Sequence, residues 1–316
     1  MSFIRNISLI AALIVCGTKV SAQHTPIFPI ANRVLTPFII NPAIAGSKDF
    51  MAIDLAATVQ GDYFSQLLSG NTRIAHKGPR YFGAPVGKSF SNLGVGGSLF
   101  NDHYGSSRSI GVSAAASYHI PLSNKNISFV SGGIAVKGIY NFMDSIPDPG
   151  LPGRESLIPN IDAGIYLYSK NLYAGVSATN LLGSMIDSID MATYKIPVTR
   201  QYFFLAGYKI VLSRSLNIVL EPSIIINLDD SLNFNDRGTY KPMLKLYMDA
   251  FCVGSYLHDY DNLILFFQYK FPKVYIGTLV DFPRDVPFFK RDLTIEIAAG
   301  FNFGSVNQTA GSRYQW

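Results

Sequence analysis

The side chains best able to do chemistry are few and scattered. Five histidines, His24, His76, His103, His119 and His258, share no i,i+2 or i,i+4 spacing. No HExxH motif or Cys/His pair accompanies them, so a zinc site has no support. His119 can be drawn with Ser117 or Ser123 as a base and a nucleophile. A hydrolase would also need a converging orienter, and the chain has no GxSxG elbow. His119 falls on the small, polar face of its segment, where a structural histidine is the simpler reading. Asp259-Tyr260-Asp261-Asn262 and Asp229-Asp230 look like fragments of cation loops. Neither continues as Asp-x-Asp-x-Asp-Gly with a distal Glu, so solvated loop carboxylates are favoured over a calcium site. Gly94-Val95-Gly96-Gly97 has no helix after it and fails as a phosphate loop. Glycine there suits a bend or a close backbone approach. No catalytic, cofactor or metal residue is assigned, and no enzyme activity is expected.

The elements that carry these residues alternate with period 2. In residues 108–120 one face is Ile110, Val112, Ala114, Ala116, Tyr118 and Ile120; the other is Ser109, Gly111, Ser113, Ala115, Ser117 and His119. The turn 121–126 follows, and the next segment sets Val130, Ile134, Val136 and Tyr140 against Ser131, Gly133, Ala135, Lys137 and Asn141. The pattern recurs around residues 53–60, 201–210 and 293–303. Short turns such as 169–171 and 213–214 contrast with long connections over 144–159, 181–196 and 229–239. Together these predict about fourteen antiparallel strands of roughly 10–14 residues, with short periplasmic turns and longer extracellular loops.

Composition decides between the two ways of building such a sheet. The 316 residues are 48% hydrophobic and only 15% charged, against roughly 25% charged in average soluble domains. Disorder is excluded. Past residue 22 no apolar run approaches the roughly 20 residues of a spanning helix. A soluble sandwich would carry many charges on its polar faces. Here those faces hold Gly, Ser, Ala, Thr and Asn. Tyr and Phe number 18 and 22 against one Trp. Tyr118, Tyr140, Tyr166, Tyr168, Tyr202 and Tyr208 sit near strand ends, as interfacial girdles require. The fold expected is all-β, a transmembrane antiparallel β-barrel. Lys137, Glu221, Lys245, Asp249 and Glu296 fall on polar faces and are placed in the lumen. In lipid a mid-depth Lys would cost roughly 2–4 kcal/mol. A stabilising lumen network is favoured over a transport-selectivity role, with Lys245 and Asp249 in phase on one strand around Tyr247.

The formal charge of +5 falls to +3 once Arg5 and Lys19 leave with residues 1–22. Basic residues are scattered, which argues against a nucleic-acid partner. Residues 1–22 read as a cleaved signal peptide: Arg5, an apolar stretch over 7–15, and Val20-Ser21-Ala22 as the cleavage site. Lipidation at Cys16 is the competing reading. Cleavage leaves Cys252 alone, so no internal disulfide staples the chain. The domain plan is a leader over 1–22, a Pro-rich segment over 23–49 at the lumen or periplasmic mouth, a barrel over 50–303 and a tail over 304–316. Pro26, Pro29, Pro37 and Pro42 make the second of these a poor strand.

Ile39-Ile40-Asn41-Pro42-Ala43-Ile44-Ala45-Gly46 resembles the "NPAyaG" motif that opens mature PorP/SprF proteins. Residues 92–102 (NLGVGGSLFND) are similar to that family's "lGlGlsvvnD", and residues 113–122 (SAAASYHIPL) to its "asYayhipl". Residues 295–303 resemble its closing strand, with Glu296 at the motif glutamate. The family's early R-x-Q-W is reduced to Arg73. The resemblance marks Asn41, Pro42, Ala43, Gly46, Asn101, Asp102, Tyr118 and Glu296 as structural or partner-binding positions. It implies a non-enzymatic outer-membrane barrel of the type IX secretion and gliding-motility system. Its implied partners are the C-terminal domain of a secreted adhesin, translocon components, and in some members a peptidoglycan-associated periplasmic lipoprotein. An outer-membrane porin or hydrophobic-solute transporter is the alternative.

Overall fold

A computed structural model describes residues 34–48, 50–74, 92–123, 128–143, 154–183, 199–257, 262–271, 273–283 and 293–303. The leader over 1–22, the tail over 304–316, His24, His76, His258 and Asp259-Tyr260-Asp261 lie outside them. Fifteen strand segments follow one another as β1 (Met51–Gln60), β2 (Tyr63–Arg73), β3 (Leu93–Tyr104), β4 (Ser107–Ser123), β5 (Ser128–Met143), β6 (Arg154–Tyr168), β7 (Leu172–Thr179) and β8 (Gln201–Tyr208). The wall continues with β9 (Ile210–Ser213), β10 (Ile218–Asp229), β11 (Tyr240–Met248), β12 (Phe251–Leu257), β13 (Asn262–Lys270), β14 (Val274–Pro283) and β15 (Thr294–Phe303).

Every pairing is antiparallel between neighbours. β15 pairs with β1, from Met51 opposite Phe303 to Val59 opposite Ile295, and closes the sheet. β8 and β9 both pair with β10 and are interrupted at Lys209, so they form one wall strand. The result is a closed 14-strand barrel with no unpaired edge, the one β architecture that satisfies its backbone inside a bilayer.

Alternation sorts the side chains. Ile110, Val112, Tyr118, Ile120, Ile134, Val136 and Tyr140 face outward and are exposed, while Ala115, Ser117, His119, Ser131 and Ala135 are buried inside. Each strand thus gives lipid an apolar row and the lumen a row of small and polar groups.

Three sequence expectations change. Tyr166 is buried and Tyr168 half-buried on the inward face, where they stack with centroids 5.3 Å apart; only Tyr118, Tyr140 and Tyr208 of the expected girdle are exposed outside. The long connection after β5 is shorter than 144–159, because β6 begins at Arg154 and carries Pro159 opposite Gly138. Short and long connections also mix. Turns 61–62 and 105–106 share an end with the long connections, whereas β2 ends at Arg73 and β3 begins at Leu93 at the other end, with nineteen residues between them. That other end holds the start of β1, the end of β15 and most short turns, which face the periplasm in such barrels.

Strand length varies around the wall. β4, β5 and β6 run 17, 16 and 15 residues, whereas β12 runs 7. The long strands form the side against which the chain's own N-terminal segment lies.

Candidate functional site

Residues 34–47 occupy the barrel interior. Two single-turn 3-10 helices, Pro37–Ile39 and Pro42–Ile44, each begin with proline, whose fixed φ suits a first helical position and which leaves no N–H to satisfy. Phe38, Ile40 and Ile44 are at most 6% exposed and share one cluster with Ala115, Ala135, Phe203 and Leu205. Burying side chains of this size contributes about 1.5–3 kcal/mol each.

The polar contacts follow the wall in order. Asn41 caps the second turn by accepting from Ala43 N at 3.0 Å. Its Nδ2 donates to Ile165 O at 3.1 Å and Val176 O at 3.3 Å, carbonyls on adjacent strands β6 and β7. Ser177 on β7 donates to Ile40 O at 2.6 Å, and Ser131 on β5 to Ala43 O at 2.7 Å. Ser117 on β4 donates to Ala45 O at 2.6 Å, and Arg73 on β2 donates through Nε to Gly46 O at 2.9 Å. A buried carbonyl without a donor costs about 1–3 kcal/mol, so the wall residues satisfy what the irregular segment cannot satisfy itself.

His119 belongs to this latch. Its Nε2 lies 2.9 Å from Ala45 O, and a carbonyl only accepts, so Nε2 carries the proton. Nδ1 then accepts from Tyr168 Oη at 2.9 Å, and Tyr168 in turn accepts from Arg73. Ser117 and His119, the residues that could be drawn as nucleophile and base, both point at the same carbonyl of the segment.

Two glycines permit the approach. Gly46 has φ +69°, a region L side chains rarely adopt. A Cβ on Gly94 would lie 2.2 Å from Ala45 O, which gives the glycine-rich run 94–97 its reason.

The other motif residues do not join the latch. Asp102 faces inward near the extracellular end and accepts from Ser65 at 2.5 Å. Glu296, fully buried, accepts from Thr58 at 2.9 Å across the closing pair of strands. Asn101 points away from Asp102, to Gln66 and Arg108. Tyr118 is exposed on the outer face, where Asn92 Nδ2 lies 3.3 Å from its hydroxyl.

The charged residues form two clusters. Lys137 Nζ lies 2.8 Å from Asp162 Oδ1. Glu221, 2% exposed, accepts from Lys245 at 3.2 Å, Tyr173 at 2.8 Å and Tyr247 at 3.1 Å, with Lys209 at 3.8 Å. Asp249 is a correction. β11 ends at Met248, and Asp249 sits exposed in the following turn at φ +52°, 3.4 Å from Asn217 Nδ2. Its alternation with Lys245 stops one residue short because the chain reverses there. Asp162, Tyr173, Lys209 and the Asp54–Tyr275 pair at 2.5 Å were not singled out by sequence. Their signal was an inward position in the alternation, shared with many unremarkable residues. Among the described residues no group of three or more His, Cys, Asp or Glu side chains is placed to hold a metal ion.

A closed 14-strand wall with an apolar exterior and a filled, polar interior defines an outer-membrane β-barrel. Solved structures with similar overall course include the KdgM porin (11% identity, 80% of this chain and 99% of that one, TM-score 0.39) and Omp33 of Acinetobacter baumannii (13%, 82% and 100%, TM-score 0.40). A Pseudomonas aeruginosa FadL homologue is a third (10%, 81% and 89%, TM-score 0.41). No curated protein matches the chain. The chain belongs to the family of type IX secretion system membrane proteins PorP/SprF, whose description matches residues 33–301.

Proposed function

We propose that this barrel works without a reaction of its own, as an outer-membrane anchor that binds the C-terminal domain of a secreted protein or scaffolds the type IX translocon. The occupied bore carries this reading. Residues 34–47 lie where a porin would keep water, tied to four wall strands through Ser177, Ser131, Ser117 and Arg73. A barrel filled in this way is poorly suited to free diffusion, so its working surfaces are its two rims. Family membership supports contact with secretion components. A periplasmic peptidoglycan-associated lipoprotein suits the short-turn rim, and cargo suits the long-loop rim. Export through a leader cleaved after Ala22 completes the proposal.

Affinity purification of the tagged barrel from its native outer membrane in mild detergent tests it. The expected result is co-recovery of a secreted protein's C-terminal domain, a translocon component or a periplasmic lipoprotein. Repeated recovery of the barrel alone would contradict the reading.

A further inference from the structure

The two rims of the barrel differ in charge. Strand ends at the periplasmic rim are joined by segments whose sequence holds seven Lys and Arg and one acid, Asp249. Segments joining strands at the opposite rim hold eleven acids and six Lys and Arg. Just before β1, Lys48 and Asp49 offset each other. Lys209, Lys245 and Lys270 line the bore with Glu221 and stand apart from the rim. The imbalance is a net count over the connecting sequence, so it holds however individual side chains pair.

The described turns put these charges at the edge of the lipid-facing surface. Lys170, Arg214 and Lys273 are exposed. Each stands two residues from an exposed apolar side chain: Lys170 from Leu172, Arg214 from Leu212 and Leu216, Lys273 from Phe271. Lys170 also borders the mouth of the bore. Asp249 stands two residues from Phe251, with Asn217 Nδ2 3.4 Å away. Tyr269 packs against both Phe251 and Phe271, with centroids 4.8 and 4.7 Å apart. Aromatic clusters of this kind mark the level where hydrocarbon gives way to headgroups. A Lys or Arg at that level reaches the headgroups along its own aliphatic stem. Net positive charge there attracts anionic lipid, and the attraction fades within a Debye length. The closeness of each cation to the apolar wall favours headgroups over a protein, which would meet the turns from the periplasm.

We propose that the periplasmic rim binds anionic phospholipid headgroups, with Arg214, Lys273 and Lys170 contacting their phosphates. Lipid binding here is independent of cargo binding, so the failure of either leaves the other standing.

The test uses the full-length barrel in phosphatidylcholine nanodiscs, which leave both rims accessible. Electron paramagnetic resonance compares trace spin-labelled phosphatidylglycerol with spin-labelled phosphatidylcholine at the barrel surface. The anionic lipid should be preferred by roughly threefold or more at low salt. The preference should vanish near 1 M salt, where the Debye length is about 3 Å. Lys170→Gln/Arg214→Gln/Lys273→Gln should lose about half of the preference or more. Asp249→Asn, which removes the acid from the same rim, should strengthen it. All four positions lie in turns, and heat-modifiable electrophoretic mobility reports that each barrel is folded. Equal occupancy by the two lipids around the parent overturns the proposal. So does an unchanged preference in the folded triple variant, or a preference weakened by Asp249→Asn. Binding of fluorescent polyglutamate to the same discs, with no preference between the lipids, would assign the rim to an acidic protein and overturn it as well.

Discussion

His119 and Ala45 stand 74 positions apart, yet the imidazole Nε2 donates to the Ala45 carbonyl at 2.9 Å inside the barrel. The contact ties a wall strand to the segment that fills the bore. Arg73 extends it, reaching both Tyr168, which donates to His119, and the neighbouring Gly46 carbonyl. One connected set of side chains thus fixes the end of the NPAIAG motif.

Asn41 is the other anchor, with one acceptance and two donations. Asn41→Ala should lower stability by about 1–3 kcal/mol, because buried polar partners are left unmatched. Asn41→Asp should cost more, since a carboxylate oxygen would replace the amide nitrogen that donates to two carbonyls. Thermal unfolding in detergent, followed by circular dichroism, ranks the three proteins.

Gly94→Ala should dislodge the segment without opening the wall. The new Cβ would meet Ala45 O at 2.2 Å, Ser117 Oγ at 2.4 Å and His119 Nε2 at 2.8 Å. A cysteine placed by Ala45→Cys, fully buried in the parent, should react with a water-soluble maleimide roughly tenfold faster or more when Gly94→Ala is also present, as local opening controls access. Equal rates would place the segment's restraint elsewhere.

Much of this architecture was legible in the sequence, and the limits have physical causes. The face parity of β4 and β5 could be read because lipid demands Ile110, Val112, Ile134 and Val136 on one side, while the lumen takes Ser117 and Ser131. The prolines marked residues 37–42 as something other than a strand. The partners of that segment could not be read. Ser117, Ser131 and Ser177 look like any small lumen residue until barrel closure brings β2 and β7 to one segment. Tyr166 and Tyr168 were misplaced because a tyrosine near a strand end suits an interface and a filled lumen equally well. Asp249 was misplaced because alternation does not announce where a strand stops.

Breaking the Glu221 cluster should be expensive. Glu221→Gln removes the charge facing Lys245 at 3.2 Å and Lys209 at 3.8 Å, and loss of one partner from a buried pair typically costs about 3–5 kcal/mol. Glu221→Leu combined with Lys245→Met should recover part of that loss, since Lys245 is then not stranded and only Lys209 still loses its partner. A double-mutant cycle on unfolding free energies measures the coupling.

The outward face should behave as a lipid-facing surface. Val136 is 55% exposed near the middle of β5. Val136→Arg should destabilise the barrel folded in vesicles by about 2–4 kcal/mol. A change near zero would argue that this face meets water.

The most direct test of the account is conductance across a planar bilayer, comparing the parent barrel with a variant lacking residues 34–47. A filled bore predicts that the parent stays close to silent and that the deletion passes ions through a lumen lined by Lys137, Asp162 and Glu221. A steady, porin-like conductance from the parent, unchanged by the deletion, would contradict the claim that this segment closes the barrel.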